Sequence, residues 1–191
     1  MVGLRVYPVV NVQPRRPVPQ FARRMGSAPL ELATMTDFML PRAAVPARVH
    51  LCYVKDQAGH IFVGERAQLH SGPETPLEML NREEGFFPFR PEKDQGVLLV
   101  AKGQTISVSI GTAHLPAADP DRRSAAKRLA LTLTLADGTI LGGWATVELP
   151  EFHSRPLDYL NRSLEPFFEL ATDTGVHYVN RAQVLYARPG D

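Results

Sequence analysis

Cysteine is almost absent from this 191-residue chain: Cys52 stands alone, so no disulfide can form within it. In an apparent strand, Val49 to Val54, that thiol reads as buried and inert rather than nucleophilic. Long apolar runs are missing too, and nothing approaches the ~20 residues of a membrane-spanning helix. Met1 to Val10 carries Arg5 and meets Pro8 early, without the apolar stretch and small-residue cleavage site of a signal peptide. The expectation is a cytoplasmic location, extending to the cytoplasmic face of a membrane complex. Also absent are a Gly-x-Ser-x-Gly elbow, a Walker loop and a Gly-x-Gly-x-x-Gly fingerprint. The six histidines (50, 60, 70, 114, 153, 177) lack metal-ligand spacing. These absences predict a chain that is not an enzyme and holds neither metal nor cofactor.

Charge is present but unevenly spread. Residues 1–48 hold seven arginines against Glu31 and Asp37, a balance of +5, which leaves −4 for the remainder of a chain whose formal net charge is +1. A basic arm on a mildly acidic body directs the arm toward an anionic partner.

The most informative feature is a repeat. Gly59-His60-Ile61-Phe62-Val63-Gly64 matches Gly138-Thr139-Ile140-Leu141-Gly142-Gly143 at an offset of 79. Pro76-Leu77-Glu78-Met79-Leu80-Asn81-Arg82 matches Pro156-Leu157-Asp158-Tyr159-Leu160-Asn161-Arg162 at 80, and Phe86-Phe87 matches Phe167-Phe168 at 81. Gly96-Val97, Val100 and Gln104 return at 79 as Gly175-Val176, Val179 and Gln183. Loop-length changes between fixed strands produce such small shifts.

Each copy reads as the same string of elements. Val49 to Lys55, or Leu129 to Leu135 with its alternating leucines, makes a first strand with one buried face. A turn follows at Gln57-Ala58-Gly59 or Ala136-Asp137-Gly138. Next come a strand (Ile61 to Leu69, or Thr139 to Leu149), a short helical turn opened by proline, a Phe-Phe strand and a Gly-Val-x-x-Val strand. Thr105 to Ile110, or Gln183 to Ala187, is the last strand. Five short strands in about 60 residues describe a small barrel. The predicted fold is therefore mainly β: an extended Pro/Arg-rich arm (1–47), a first five-stranded small barrel (48–110), a linker (111–127) and a second barrel (128–188).

Leu133-Thr134-Leu135-Ala136-Asp137-Gly138, Asp158-x-Leu160-Asn161 and Val179-Asn180-Arg181-x-x-Val184-Leu185 give the second copy a resemblance to the Sm-like fold among SH3-like small barrels. Val49 to Ile110 resembles it more weakly. The chain is also similar to a family of bacterial domains with the pattern DG…G…DxLN…F…VNxxxI, where membership implies no activity. The Sm-like resemblance implies a small barrel and, as an alternative function, RNA binding. Only Asp158 and Asn161 approximate the RNA-binding loop of that family, and Asn180-Arg181 reverses the chemistry of its second motif.

Candidate sites each have a plain structural reading. Asn81 and Asn161 end the short helical turn and suit capping as well as ligand contact. One phenylalanine of each Phe-Phe pair belongs in the core, because neighbouring strand residues face opposite ways. Trp144, after Gly142-Gly143, is a partner anchor or a barrel-rim residue. In the arm, Arg5, Tyr7, Arg15, Arg16, Phe21, Arg23, Arg24 and Phe38 are the candidate partner contacts, spaced among seven prolines that favour extended chain. The functional expectation is a structural or adaptor subunit docking onto other protein subunits of a larger assembly. The alternatives are an RNA-binding module, disfavoured by the acidic body, and a small-ligand sensor or enzyme at the cleft between the barrels.

Overall fold

Alternation of apolar and polar side chains drives this chain into strands, and all of them pair antiparallel. The computed structural model describes residues 42–67, 70–94, 96–115, 127–147, 155–162 and 164–190, which lie within one compact unit, Met39–Asp191. The first copy contributes β1 (Arg42–Leu51), β2 (Val54–Gly64), α1 (Pro76–Asn81), β3 (Phe86–Pro91), β4 (Leu98–Ala101) and β5 (Thr105–Gly111). From the second come β6 (Lys127–Leu135), β7 (Ile140–Val147), α2 (Pro156–Arg162), β8 (Phe167–Thr172), β9 (Gly175–Asn180) and β10 (Val184–Pro189).

The chain is mainly β, as the sequence predicts. Among the described residues ten strands form one sheet, in the order β10-β6-β7-β8-β9-β5-β1-β2-β3-β4, which is not closed. Within each copy the order is fifth, first, second, third, fourth. The copies join edge to edge where β5 pairs with β9, Ser107 opposite Val179 and Gly111 opposite Gly175. A sheet continuous through that pair replaces the expected break between two units at the linker.

Core packing follows the strand period. Leu129, Leu131, Leu133 and Leu135 are all buried while the residues between them are not, so the alternation read from the sequence is the core face of β6. Two buried clusters result, and each borrows from the other copy. Phe167, Val176 and Tyr178 pack with the first copy's Val49, Phe87 and Val108. Ile106 packs with Leu131, Leu133 and Phe168 of the second. Burying each such side chain stabilises the fold by about 1.5–3 kcal/mol, so the two cores stand together.

Three sequence expectations are corrected. β1 starts at Arg42, six residues before the expected arm boundary. The first hairpin turns at Cys52-Tyr53, with Leu51 paired to Val54, so Gln57, Ala58 and Gly59 are mid-strand in β2 rather than a turn. Tyr53 supplies the left-handed conformation there (φ 63°), in which only the glycine-like positions of turns are usually found. The repeat register changes accordingly. A Cβ on Gly59 would meet the Arg90 carbonyl oxygen at 2.2 Å, and one on Gly143 would meet that of Ala171 at 2.3 Å. Gly59 is thus the counterpart of Gly143, 84 residues on, and not of Gly138, which is a turn glycine with φ 87°. Lastly, Cys52 sits in the turn, half-buried, where its thiol faces Gln183 Oε1 at 3.4 Å.

Candidate interaction surface

Short helices tie each copy to its own sheet through one cation. Thr75 caps α1 and Glu78 returns the bond to Thr75 N–H, a capping box that fixes where the helix starts. At the other end Lys102 Nζ donates to the carbonyls of Met79 (3.2 Å) and Arg82 (2.8 Å). Arg181 does the same in the second copy, donating to Leu160 (2.7 Å) and Glu165 (3.0 Å). Burial lowers the pKa of Lys102, and the carbonyls take up what water would have provided. Arg181 also lies over the Phe168 ring at 4.9 Å, next to Tyr159, whose phenol is pushed up to about 12 by burial. These cations are structural.

The junction between copies is stitched beyond the β5–β9 ladder. Asn81, at the end of α1, donates from Nδ2 to the Phe167 carbonyl (3.1 Å) and accepts the Phe167 N–H at Oδ1 (2.8 Å). Asn180 Nδ2 donates to the carbonyls of Lys102 and Thr105 at 3.0 and 2.9 Å. Gln183 Nε2 donates to Gly103 O at 2.8 Å. His50 and Asp137 meet at 2.9 Å; burial raises the Asp137 pKa, but hydrogen bonds from Thr139, joined by His50, outweigh it and hold the carboxyl down.

The outer ends of the sheet are different. Among the described residues β4 and β10 each have a neighbour on one side only, and both carry exposed apolar side chains. Leu99 of β4 is 73% exposed where Tyr178 is 4%, and Phe86, on β3 beside β4, is 60% exposed where its counterpart Phe167 is fully buried. On β10, Leu185 is 62% exposed where Ile106 is fully buried, and Tyr186 is exposed as well. The expected core-and-surface split of the Phe-Phe pairs holds for Phe86 and Phe87, whereas Phe167 and Phe168 are both buried because the junction covers the first. Unpaired edges with apolar side chains invite strand addition.

A groove accompanies each copy's strand edge. In the first copy Ala47, Arg48, Gly59 and Glu92 line it, and Gly175 and His177 of β9 form its far wall. The second copy's groove runs along Leu131, Thr132, Gly143, Trp144 and Asp173, and among the described residues it has no strand corresponding to β9 beside it. Trp144 lies there on β7, opposite Ala130 and Ala171, and is 38% exposed. His177 Nδ1 is buried with no hydrogen-bond partner, and burial, followed by the nearby His50, lowers its pKa.

Of the sequence-predicted contact residues, only Trp144 is among those described. Arg5, Tyr7, Arg15, Arg16, Phe21, Arg23, Arg24 and Phe38 lie outside the described residues, as does most of the linker. Compared with protein-family models, curated proteins and solved structures, the chain matches none. No helix among the described residues is long and apolar enough to cross a membrane.

Sequence reasoning missed the two edges. Their signal was the repeat itself: pairing Leu98-Leu99 with His177-Tyr178, and Leu185 with Ile106, asks why equivalent apolar positions should be covered once and open once.

Proposed function

We propose that this chain is a non-catalytic structural subunit that joins a larger protein assembly through its strand edges and its basic arm. The observation that carries the reading is the pair of strands open among the described residues, β4 bearing Leu99 and β10 bearing Leu185 and Tyr186 in water, with the exposed Phe86 on β3 beside β4. An isolated monomer would hide or charge such edges; a subunit keeps them for a partner strand. Each copy's five strands, in one order, act as a small barrel of the Sm-like, SH3-like kind that presents those edges. The arm's arginines and prolines suit an extended tether laid across a neighbouring subunit. Its site of action is cytoplasmic, including the cytoplasmic face of a membrane complex.

Size-exclusion of native extract tests this. The chain should migrate well above its 21.1 kDa mass, and Leu99→Lys or Leu185→Lys should move it toward the monomer position while the purified variants keep their melting temperature. Wild-type chain migrating as a free monomer in native extract would overturn the proposal.

A further inference from the structure

The repeat shows what the fold requires beside the second copy's groove and what it does not. His60 on β2 lies between Pro46 on β1 and Arg90 on β3. Trp144 holds the same place in the second copy: it follows the close-packed Gly143 as His60 follows Gly59, and it lies between Ala130 on β6 and Ala171 on β8. The strand itself needs no tryptophan there, since the first copy folds with an imidazole. Yet the chain's single tryptophan stands 38% exposed between two methyl-sized neighbours. Gly142, two residues earlier on the same side of β7, adds no side chain, and its Cβ position faces open space. One indole is thus left uncovered among small residues.

The polar groups around it are acceptors. The groove has a volume of about 430 Å³, within the ~300–1,000 Å³ of small-molecule sites. Asp173 is the one charged side chain among the described residues that line it. Thr172 Oγ1 donates to the Gly175 carbonyl at 3.0 Å, so Thr174 Oγ1, 3.2 Å away, is the donor of the threonine pair. Both hydroxyl protons are engaged inside the protein, and lone pairs on Thr174 and the Asp173 carboxylate remain for a ligand.

That pattern selects the ligand. A phosphate, a carboxylate or the carbonyls of a peptide would bring more acceptors and meet no cation. A ligand rich in hydroxyl donors fits, provided one side of it is flat and apolar enough for the indole, whose electron-rich face attracts electron-poor C–H groups. A pyranose has both. We propose that the second copy's groove binds a neutral saccharide, with one sugar ring stacked on Trp144 and its hydroxyls donating to Asp173 and Thr174. The site lies on the face of β6, β7 and β8 and uses no open strand edge, so its failure would leave the structural-subunit reading untouched.

A single tryptophan makes the test direct. Full-length protein is titrated with maltohexaose, cellohexaose and chitohexaose, and with decaproline as a peptide that also stacks on indoles. At least one saccharide should shift the Trp144 emission saturably to shorter wavelength, with a matching heat in calorimetry. Asp173→Asn keeps the shape and removes the charge; it should weaken that binding about tenfold, as expected for a lost charge-assisted hydrogen bond. Trp144→Ala should abolish the heat and Trp144→Phe should retain part of it, with the folding of each variant checked by its melting temperature. A response to decaproline and to no saccharide would assign the groove to a peptide and overturn the proposal. So would silence with all three saccharides, or saccharide binding that survives both Trp144→Ala and Asp173→Asn.

Discussion

Asn81 and Phe167, 86 residues apart, are held by two hydrogen bonds: the asparagine amide donates to the Phe167 carbonyl and its carbonyl oxygen accepts the Phe167 N–H. One side chain thus satisfies both backbone groups of a buried residue in the other copy. Replacing it with alanine leaves those groups unpaired, which costs about 1–3 kcal/mol. Asn161→Ala, at an exposed place, should change the stability of the isolated chain by less than about 0.5 kcal/mol. Urea unfolding of the two variants, in conditions where the chain is monomeric, measures the difference.

Gly59→Ala and Gly143→Ala should each destabilise by about 1–3 kcal/mol, at the upper end because the obstacle is backbone. The added methyl would press on the carbonyl oxygen of Arg90 or of Ala171. Gly142→Ala is the control, since nothing lies within 4 Å of its Cβ position; its unfolding midpoint should hold within the error of the measurement.

Lys102→Met should destabilise by about 1–3 kcal/mol by leaving the Met79 and Arg82 carbonyls without a donor. Lys102→Arg should recover part of the loss, because the second copy fills that position with Arg181. Thermal unfolding of wild type and both variants checks the order.

Below about pH 6.5 the wild-type chain should lose stability through His177. Its folded-state pKa is lowered by burial, so the folded form resists protonation that the unfolded chain accepts. The contribution is complete above the unfolded pKa and is lost as pH falls toward the folded one. His177→Leu, copying the first copy's Leu98, should flatten that part of the melting-temperature profile between neutral pH and pH 5. Parallel profiles for both proteins would remove His177 as the cause.

The sequence carried much of this fold in particular residues. Repeated Pro-Leu-x-x-Leu-Asn and Phe-Phe blocks located both helices and both third strands, and the leucine alternation of Leu129 to Leu135 gave its buried face directly. The first hairpin was hidden because its turn uses Tyr53 in a left-handed conformation instead of glycine, while Gly59 serves close strand approach and only looks like a turn residue. Edge pairing was illegible for another reason. Leu99 and Leu185 have the same strand alternation as core residues, and pattern within a strand does not say which strands end a sheet.

Amide hydrogen exchange of β4 and β10 tests the central claim most directly. In the native assembly, the outward-facing amides within Leu98–Ala101 and Val184–Arg188, those not bonded to β3 or β6, should exchange as slowly as those of β5 and β9, and release of the partner should free them. Fast exchange at both edges in the intact assembly would contradict the account, since a paired strand cannot leave its outer amides to water.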